Sequence, residues 1–486
     1  MDGPSFRQLA HSMVDLIADY WESVEQYPVL SKVAPGEILA KLPAHAPQFG
    51  EHDPSNPQAF LKAIRTDLDA IIMPGITHWQ HPQFYAFFSA NVSGPAVLAD
   101  MLSSGLGVQG MIWATSPACT ELEQRMLDWL GSAIGLPDQF LFSSKGKGGG
   151  VIAGTASEST LVCMLAAREQ ARREGAQGKL VAYTSNQAHS SVMKAAMIAG
   201  IATGPGDSEA VRMIEVDEQC RMRPEALAAA MTQDLDAGRV PFFVAATAGT
   251  TGVTAVDPIR DIARTVRELA SSVWIHIDAA HSGAACICPE MRWMIDGVDL
   301  CDSICFNPHK WLLTNFDCGC LWVADRTHLI GAMSVTPEYL RNAASDSGAV
   351  VDYRDWQVPL GRRFRSLKIW FVMRAYGIEG LRVYIREHLR LAALFESLVR
   401  EDPRFEIVAT RTVNLVCIRL REGGDAANKA LMDRINASGK AYLTHTVLPR
   451  SHPTLPGAVI LRIAISGAAT REHHVRALWE QLQSLA

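Results

Sequence analysis

The segment SSVWIHIDAAHSG, residues 271–283, decides the fold that we expect for this chain. Its first half is an apolar run typical of a buried strand, and the run ends in an acid, Asp278, followed by small residues. A second apolar run leads into FNPHKW, residues 306–311, which contains Lys310. Ligands of open parallel sheets bind at the carboxyl ends of the strands, so we expect Asp278 and Lys310 to project into one crevice.

Strands and helices alternate around these two runs. We predict strands near residues 180–184, 242–247, 273–277, 302–306 and 320–324, and helices near residues 117–133, 157–173, 190–199 and 259–269. Apolar strands separated by helices favour an α/β fold, in which a mainly parallel sheet is covered by helices on both faces.

Two further regions flank this α/β part, which we expect to form a large domain over residues 81–370. Residues 1–80 are helical with proline breaks and are predicted to form an N-terminal arm. A long helical run from residue 367 is followed by strands and helices that are segregated along the chain. This order predicts a small α+β domain over residues 371–486.

The composition favours small-molecule chemistry. Of the 486 residues, 48% are hydrophobic and 20% are charged, which is typical of a globular protein. The net charge is −6 and Lys and Arg are scattered, so we expect neither nucleic acid nor a membrane as a partner. Residues 1–21 carry acids among apolar residues, which predicts an amphipathic helix rather than a signal peptide, and therefore a cytoplasmic protein.

Two short motifs suggest sites that we do not assign. The ten cysteines lie mostly in apolar runs, which indicates reduced thiols, and the closely spaced pairs Cys286/Cys288 and Cys318/Cys320 have no His or Cys cluster to complete a metal site. We therefore predict no metal.

Asn91-Val-Ser matches a glycosylation acceptor, which we interpret as a chance match because no secretory signal precedes it.

A glycine-rich segment supplies the features of a phosphate site. The stretch KGKGGGVIAGTASESTLVCMLAAREQ, residues 145–170, leads through glycines to Thr155, Ala156 and Ser157 and then into a predicted helix. Free amides and the dipole at a helix N-terminus stabilise a phosphate dianion. The alternative is an ordinary flexible loop with a helix cap. Together with an acid for a pyridine nitrogen and a lysine for an imine, the segment meets the requirements of pyridoxal phosphate.

Five motifs carry a resemblance that covers nearly the whole chain. They are Thr155-Ala-Ser, NQAHSSV at residues 186–192, AGTT at 248–251, HIDAA at 276–280 and FNPHKW at 306–311. With them the chain resembles the pyridoxal-phosphate-dependent group II aromatic L-amino-acid decarboxylases. The resemblance implies the fold type I architecture, in which the large domain contains a mainly parallel sheet of the seven-stranded type. It also implies a tight homodimer, with the N-terminal arm in the interface and active sites between the subunits.

The resemblance also implies roles for single residues. Lys310 would be the lysine that bonds the cofactor, Asp278 the partner of its ring nitrogen, and His189 the residue that stacks on its ring and lies near the substrate. The other cofactor-binding positions that it implies are Thr155, Ala156, Ser157, Thr251, Ala280, Asn307 and His309.

Tyr339, in SVTPEYLRNAASDSG at residues 334–348, matches the family's catalytic-loop tyrosine, which protonates the substrate carbon after carbon dioxide leaves. A structural tyrosine is the alternative. Relatives that act as aldehyde synthases replace this tyrosine, often with Phe, or replace the stacking histidine with Asn. Tyr339 and His189 therefore favour simple decarboxylation to an amine.

The substrate pocket of the family corresponds to Trp79, Phe87, Phe88 and Ala90, although an aromatic run is also compatible with ordinary core. Gly361 stands where relatives that prefer phenolic substrates or histidine often have Ser and those that accept indoles have Gly. We therefore expect tryptophan and 5-hydroxytryptophan as substrates, with DOPA, tyrosine or phenylalanine as further candidates. The alternatives are an aldehyde synthase and a histidine decarboxylase on the same scaffold.

Several positions depart from the common pattern of the family: Ser89 and Ala90 replace a Pro-Thr or Pro-Ser pair, Gln109 and Met111 replace apolar or aromatic residues, and His281 replaces an aromatic residue.

Overall fold

The structure, a computed structural model of the chain, describes residues 1–50, 56–335, 343–346, 348 and 350–486. The strands are β1 Gly149–Ala153, β2 Leu180–Ser185, β3 Val211–Ile214, β4 Val240–Thr247, β5 Trp274–Asp278, β6 Ser303–Phe306, β7 Gly319–Val323, β8 Phe405–Ile407, β9 Leu415–Leu420, β10 Thr444–Val447 and β11 Val459–Ala464. The helices are α1 Gly3–Ser23, α2 Glu37–Lys41, α3 Pro57–Asp67, α4 Gly94–Leu106, α5 Pro117–Ile134, α6 Ala156–Arg173, α7 Ser191–Ile198, α8 Pro224–Asp236, α9 Ile259–Leu269, α10 Pro308–Trp311, α11 Arg326–Met333, α12 Ala343–Asp346, α13 Ser366–Arg400, α14 Gly424–Ser438 and α15 Glu472–Leu485.

The large sheet has seven strands in the order β1-β7-β6-β5-β4-β2-β3. The pairs from β6 to β3 are parallel, and β7 is antiparallel to both of its neighbours, β1 and β6. The predicted mainly parallel sheet is therefore confirmed. Because β1 and β6 run in the same direction, the chain segments that follow β1, β4, β5 and β6 all emerge at one edge of the sheet.

Helices cover both faces of this sheet. Successive side chains of a strand point to opposite faces and therefore belong to two different cores. Ile275 and Ile277 belong to a core with α5, α8 and α9, whereas Trp274 belongs to a second core with α6, α7 and α11. This alternation is the geometry of a strand that is buried on both faces.

The glycine-rich segment before α6 is not the ordinary flexible loop that the sequence left open as the alternative, because Gly149–Ala153 is the fully buried edge strand β1. Its glycines allow close packing: a Cβ on Gly149 would lie 2.6 Å from the Phe142 ring, and one on Gly150 would lie 2.9 Å from the carbonyl oxygen of Leu321. The glycines of β1 therefore allow neighbouring groups to pack closely against the strand, rather than making the segment flexible. Strand β3 and helices α4 and α8 were also absent from the predicted elements.

A second, antiparallel sheet in the order β10-β11-β9-β8 follows near the C-terminus. Helices α14 and α15 and the C-terminal part of α13 contribute apolar residues to its core. Helix α13 crosses the domain boundary expected near residue 371 and is interrupted by non-helical backbone at Gly377. None of the helices in the described part of the chain has the length and apolar composition needed to span a bilayer.

A buried ion pair connects β1 to α5. The guanidinium of Arg362 lies 2.5 Å from Glu123 and donates to the carbonyl oxygen of Ile152 at 3.2 Å. Glu123 also accepts from the N–H of Ile152 at 2.8 Å. The two charged side chains are 1% and 5% exposed, so each depends on the other to compensate for its lost hydration.

We expect the Arg362→Met substitution to lower the free energy of unfolding by about 3–5 kcal/mol, because it leaves the Glu123 carboxylate buried and unpaired. Arg390→Met is the control, since Arg390 pairs with Glu387 and Glu472 at the surface, where such pairs contribute about 1 kcal/mol or less. Urea unfolding of both variants measures the difference. Equal destabilisation of the two variants would contradict the interpretation.

Candidate active site

A cavity of about 250 Å³ lies at the sheet edge where β1, β4, β5 and β6 end. All ten positions that the resemblance assigns to cofactor binding line it, namely Thr155, Ala156, Ser157, His189, Thr251, Asp278, Ala280, Asn307, His309 and Lys310. The structure thus brings together residues that are up to 155 positions apart in the chain. Their individual roles stay predictions.

The acid and the lysine come from adjacent strands. Asp278 is the last residue of β5 and is 6% exposed, and one of its carboxylate oxygens accepts from the N–H of Ala280 at 3.0 Å. Lys310 lies in the short turn α10 that follows β6. Burial of the amine lowers the pKa of Lys310, while the negative charge of Asp278 partly opposes this shift. A lowered pKa increases the fraction of neutral amine, the form that attacks a carbonyl group.

The end of the cavity at the start of α6 suits an anion. Helix α6 begins at Ala156, whose N–H donates to the side-chain oxygen of Asn307 at 2.9 Å. A Cβ on Gly319 would lie 2.9 Å from this Asn307 oxygen and 3.0 Å from the backbone of Thr155, so β7 approaches here as closely as a glycine permits. The first amides and the dipole of an 18-residue helix therefore face this end.

Two histidines in the wall are held in their neutral forms. His189 accepts at Nδ1 from the N–H of Ser191 at 3.1 Å, and partial burial lowers its pKa. His309 accepts at Nδ1 from the N–H of Cys318 at 3.0 Å, and burial together with the neighbouring Lys310 lowers its pKa to about 4. In each ring the acceptor role of Nδ1 leaves the proton on Nε2. Both rings can thus donate from Nε2 without carrying a positive charge.

The predicted substrate residues separate into two groups. Phe88 lines the cavity, with the amine of Lys310 at 5.7 Å from its ring centre. Trp79 and Phe87 lie outside it, stacked on each other at 5.7 Å and exposed by 37% and 46%. Ala90 and Gly361 do not line the cavity either. Of the residues predicted to contact the substrate, a single chain therefore brings Phe88 and His189 to the cavity.

The sequence-based assignment missed several cavity residues. Five further side chains or backbones line the cavity: Ser191, Thr247, Gly249, His281 and Phe316. Gly249 lies within the AGTT motif and could have been included, because its positive φ of 98° is a conformation that favours glycine. Phe316, 4.8 Å from the ring of His309, had no signal in the sequence.

Arg462, on β11 of the small sheet, was also missed. It is 4% exposed, and its guanidinium lies 5.0 Å from the centre of the Phe88 ring. Nε donates to the carbonyl oxygen of Gly252 at 3.0 Å and Nη1 to Thr444 at 3.1 Å, whereas Nη2 has no hydrogen-bond partner among the described residues. The guanidinium therefore lies next to Phe88, a residue of the cavity wall.

His281 occupies a position that departs from the family pattern. Its ring lies between Phe88 at 3.8 Å and Trp311 at 5.0 Å, nearly parallel to both. Nε2 donates to the side-chain oxygen of Asn414 at 2.8 Å, and burial lowers the pKa of His281 to about 3. A neutral imidazole thus takes the place of an aromatic ring in the stack. Tyr339, the predicted proton donor, lies outside the described residues.

Comparison with known proteins identifies the relatives of this chain. The sequence model described as the pyridoxal-dependent decarboxylase conserved domain matches residues 35–421. Phenylacetaldehyde synthase of Arabidopsis thaliana is 46% identical over 100% of this chain and 96% of its own length. Aromatic-L-amino-acid decarboxylase of Mus musculus is 46% identical over 100% of this chain and 98% of its own length.

A crystal structure of Oryza sativa TDC with PLP and tryptamine superimposes with a TM-score of 0.93 at 41% identity. The alignment covers 100% of this chain and 98% of that one. The predicted fold type I architecture is therefore confirmed over the full length.

We expect the affinity for pyridoxal phosphate to decrease on acidification with a midpoint below 6.5, because the local environment lowers the pKa of His189 from that value. Protonation would place a cation in a partly desolvated site against the cofactor ring. Dissociation constants measured between pH 5 and 8 test this. The control is His189→Phe, which retains a flat ring and should lose this part of the pH dependence. A midpoint at or above 6.5, or an unchanged profile in His189→Phe, would contradict it.

Proposed function

Because the chain belongs to the pyridoxal-dependent decarboxylases and removes carbon dioxide from aromatic L-amino acids with pyridoxal phosphate as cofactor, we propose that its products are arylalkylamines and that it prefers indolic substrates. The observation that carries this proposal is the arrangement of Asp278, Lys310 and the N-terminus of α6 around one cavity.

The residues present fit the cofactor. The start of α6 would hold the phosphate, Asp278 would hold the proton on the ring nitrogen, and Lys310 would bond the aldehyde carbon. His189 would cover one face of the ring and Ala280 would pack against the other. When bound, pyridoxal phosphate withdraws electrons from the α-carbon of the substrate.

The choice of reaction depends on how the protein orients the substrate, because the bond that breaks must stand perpendicular to the cofactor ring. We propose that the substrate carboxylate is oriented by Arg462, whose guanidinium lies 5.0 Å from the centre of the Phe88 ring in the cavity wall. After carbon dioxide leaves, the α-carbon takes up a proton, for which we propose the hydroxyl of Tyr339 as donor. His189 lines the cavity.

Two side chains support an amine as the product rather than an aldehyde. The chain has Tyr339 and His189 at the two positions where aldehyde-forming relatives of the family carry replacements. Rapid proton transfer to the α-carbon competes with its oxidation by dioxygen. The similarity to a phenylacetaldehyde synthase makes the aldehyde product the second candidate.

The pocket residues favour an indole ring over a phenol, a catechol or an imidazole. Gly361 stands where relatives that accept indoles have Gly and where those that prefer phenolic substrates or histidine often have Ser. Neither Ala90 nor Gly361 offers a side-chain partner to a polar group on the substrate ring. For the same reason histidine, which carries two ring nitrogens, is the weaker candidate.

We propose that the protein is a homodimer in which each subunit completes the other's site. Helices α1 and α4 expose apolar side chains that a second copy of the chain would cover: Phe6, Val14, Ile17, Trp21, Leu98, Met101, Leu102 and Leu106. The exposed Trp79 and Phe87 are proposed to line the substrate pocket together with the partner. The ten cysteines are buried free thiols, which suits the reducing cytoplasm that we propose as its location.

We expect Lys310→Ala to abolish the visible absorption of lysine-bound cofactor and to lower kcat by about 1,000-fold or more, because the bonding amine is removed. Lys194→Ala, on the exposed side of α7, is the control and should retain both properties. Spectra of the purified, cofactor-loaded variants and amine release measure the two effects. Retention of the absorption in Lys310→Ala would refute the assignment of Lys310.

We expect the native protein to release tryptamine from tryptophan without hydrogen peroxide, and at a higher kcat/KM than the amines from DOPA, tyrosine, phenylalanine or histidine. Tyr339→Phe should divert the reaction, with dioxygen as oxidant, to aldehyde, ammonia and hydrogen peroxide. Parallel assays of amine, aldehyde and peroxide distinguish the outcomes. Peroxide from the native protein would support the aldehyde synthase, and a phenolic preference would remove the argument from Gly361.

A further inference from the structure

Asn91 is the residue of the chance glycosylation motif, and it is only 1% exposed. It lies in the charge-free segment before α4, between the end of β6 and the end of β11. Its backbone N–H donates to the carbonyl oxygen of His309 at 3.0 Å, so this segment follows the turn that carries Lys310.

The side chain of Asn91 makes three hydrogen bonds. Nδ2 donates to the carbonyl oxygen of Lys310 and, at 3.0 Å, to that of Ser466. Oδ1 accepts from the N–H of Ala468 at 2.9 Å. Two converging carbonyl oxygens and one N–H require a group that donates twice and accepts once, and among side chains of this size only a carboxamide does so.

The segment around Ser466 also holds the next residue of the turn. The indole N–H of Trp311 donates to Nδ1 of His388 at 2.8 Å, and Nε2 of His388 donates to the carbonyl oxygen of Gly467 at 3.1 Å. Residues 466–468 therefore fix α10 from two sides, through Asn91 to Lys310 and through His388 to Trp311. Helix α10 has only four residues and cannot hold its own orientation by internal hydrogen bonds.

We propose that Asn91 is a positioning residue that fixes the backbone of Lys310 against residues 466–468 and thereby sets the position of the amine relative to Asp278. This inference rests on the proposed role of Lys310. Displacement of a reacting group by about 1 Å costs up to about 100-fold in rate, whereas binding of the substrate ring depends on other residues. Loss of the carboxamide should therefore act on kcat more than on KM.

Asn428 provides a matched control. It is fully buried in the small domain, and its side chain makes the same set of bonds: it accepts from the N–H of Leu420 at 2.8 Å and donates to the carbonyl oxygens of Gly424 at 2.8 Å and Leu420 at 3.4 Å. Asn91→Ala and Asn428→Ala thus delete the same chemical group and the same number of hydrogen bonds. A purely structural role predicts similar kinetics for the two variants.

The experiment compares both variants as cofactor-loaded full-length protein, with amine release and a pH titration of the visible absorption of the bound cofactor. We expect Asn91→Ala to lower kcat by about tenfold or more, to change KM by less than about threefold, and to shift the pH midpoint of the absorption. Asn428→Ala should keep the native kcat and midpoint. Equal kcat values and midpoints in the two variants would overturn the proposal.

Two further variants keep the result interpretable. If Asn91→Ala does not fold, Asn91→Asp has the same size and retains the acceptor for Ala468 but cannot donate twice, so the same loss of kcat is expected. An Asn91→Asp variant with native kcat and midpoint overturns the proposal. Lys310→Ala tests the proposed function separately from the role of Asn91. If Lys310→Ala retains the lysine-bound absorption, the proposed function fails. If Lys310→Ala loses this absorption while the Asn91 variants keep the native kcat and midpoint, only the role of Asn91 is rejected.

Discussion

The site depends on an amine enclosed within electrostatic range of a carboxylate, Lys310 with Asp278. Burial favours the neutral form of the amine and the nearby carboxylate favours its charged form, so the pKa of Lys310 is lowered less than burial alone would lower it. The two side chains can meet only because β5 and β6 are parallel neighbours that end at the same edge. The proposed chemistry therefore requires the parallel pairing of β5 and β6.

The cavity wall contains both the start of α6 and the carboxylate of Asp278. In the proposed arrangement, the helix start would stabilise the phosphate of the cofactor and Asp278 would stabilise its protonated ring nitrogen. Gly319 brings β7 against Asn307 and Thr155 at the start of α6, with no room for a side chain. Neutral histidines in the wall add donors without adding charge.

The second sheet and the segments next to it contribute residues close to the cavity. Arg462 reaches the Phe88 ring from β11, and Asn414 holds His281 through a hydrogen bond. Residues 466–468 hold the turn of Lys310 through Asn91. A movement of this region would therefore change the positions of Lys310, of the stacked Phe88 and His281 rings and of the Arg462 guanidinium together.

The sequence by itself determined the α/β fold and, through the strand-end rule, the proximity of Asp278 and Lys310. The other cavity positions followed from the resemblance of contiguous motifs to a known family. Tertiary structure alone decided the rest. Asn91, Lys310 and Ser466 meet across separations of 219 and 375 residues, and no local pattern encodes such contacts. The sequence did not predict strand β1, because the close packing of its glycines depends on Phe142 and Leu321, which lie elsewhere in the chain. Trp79 and Phe87 remained outside the cavity, since their neighbours are set by packing and not by sequence order.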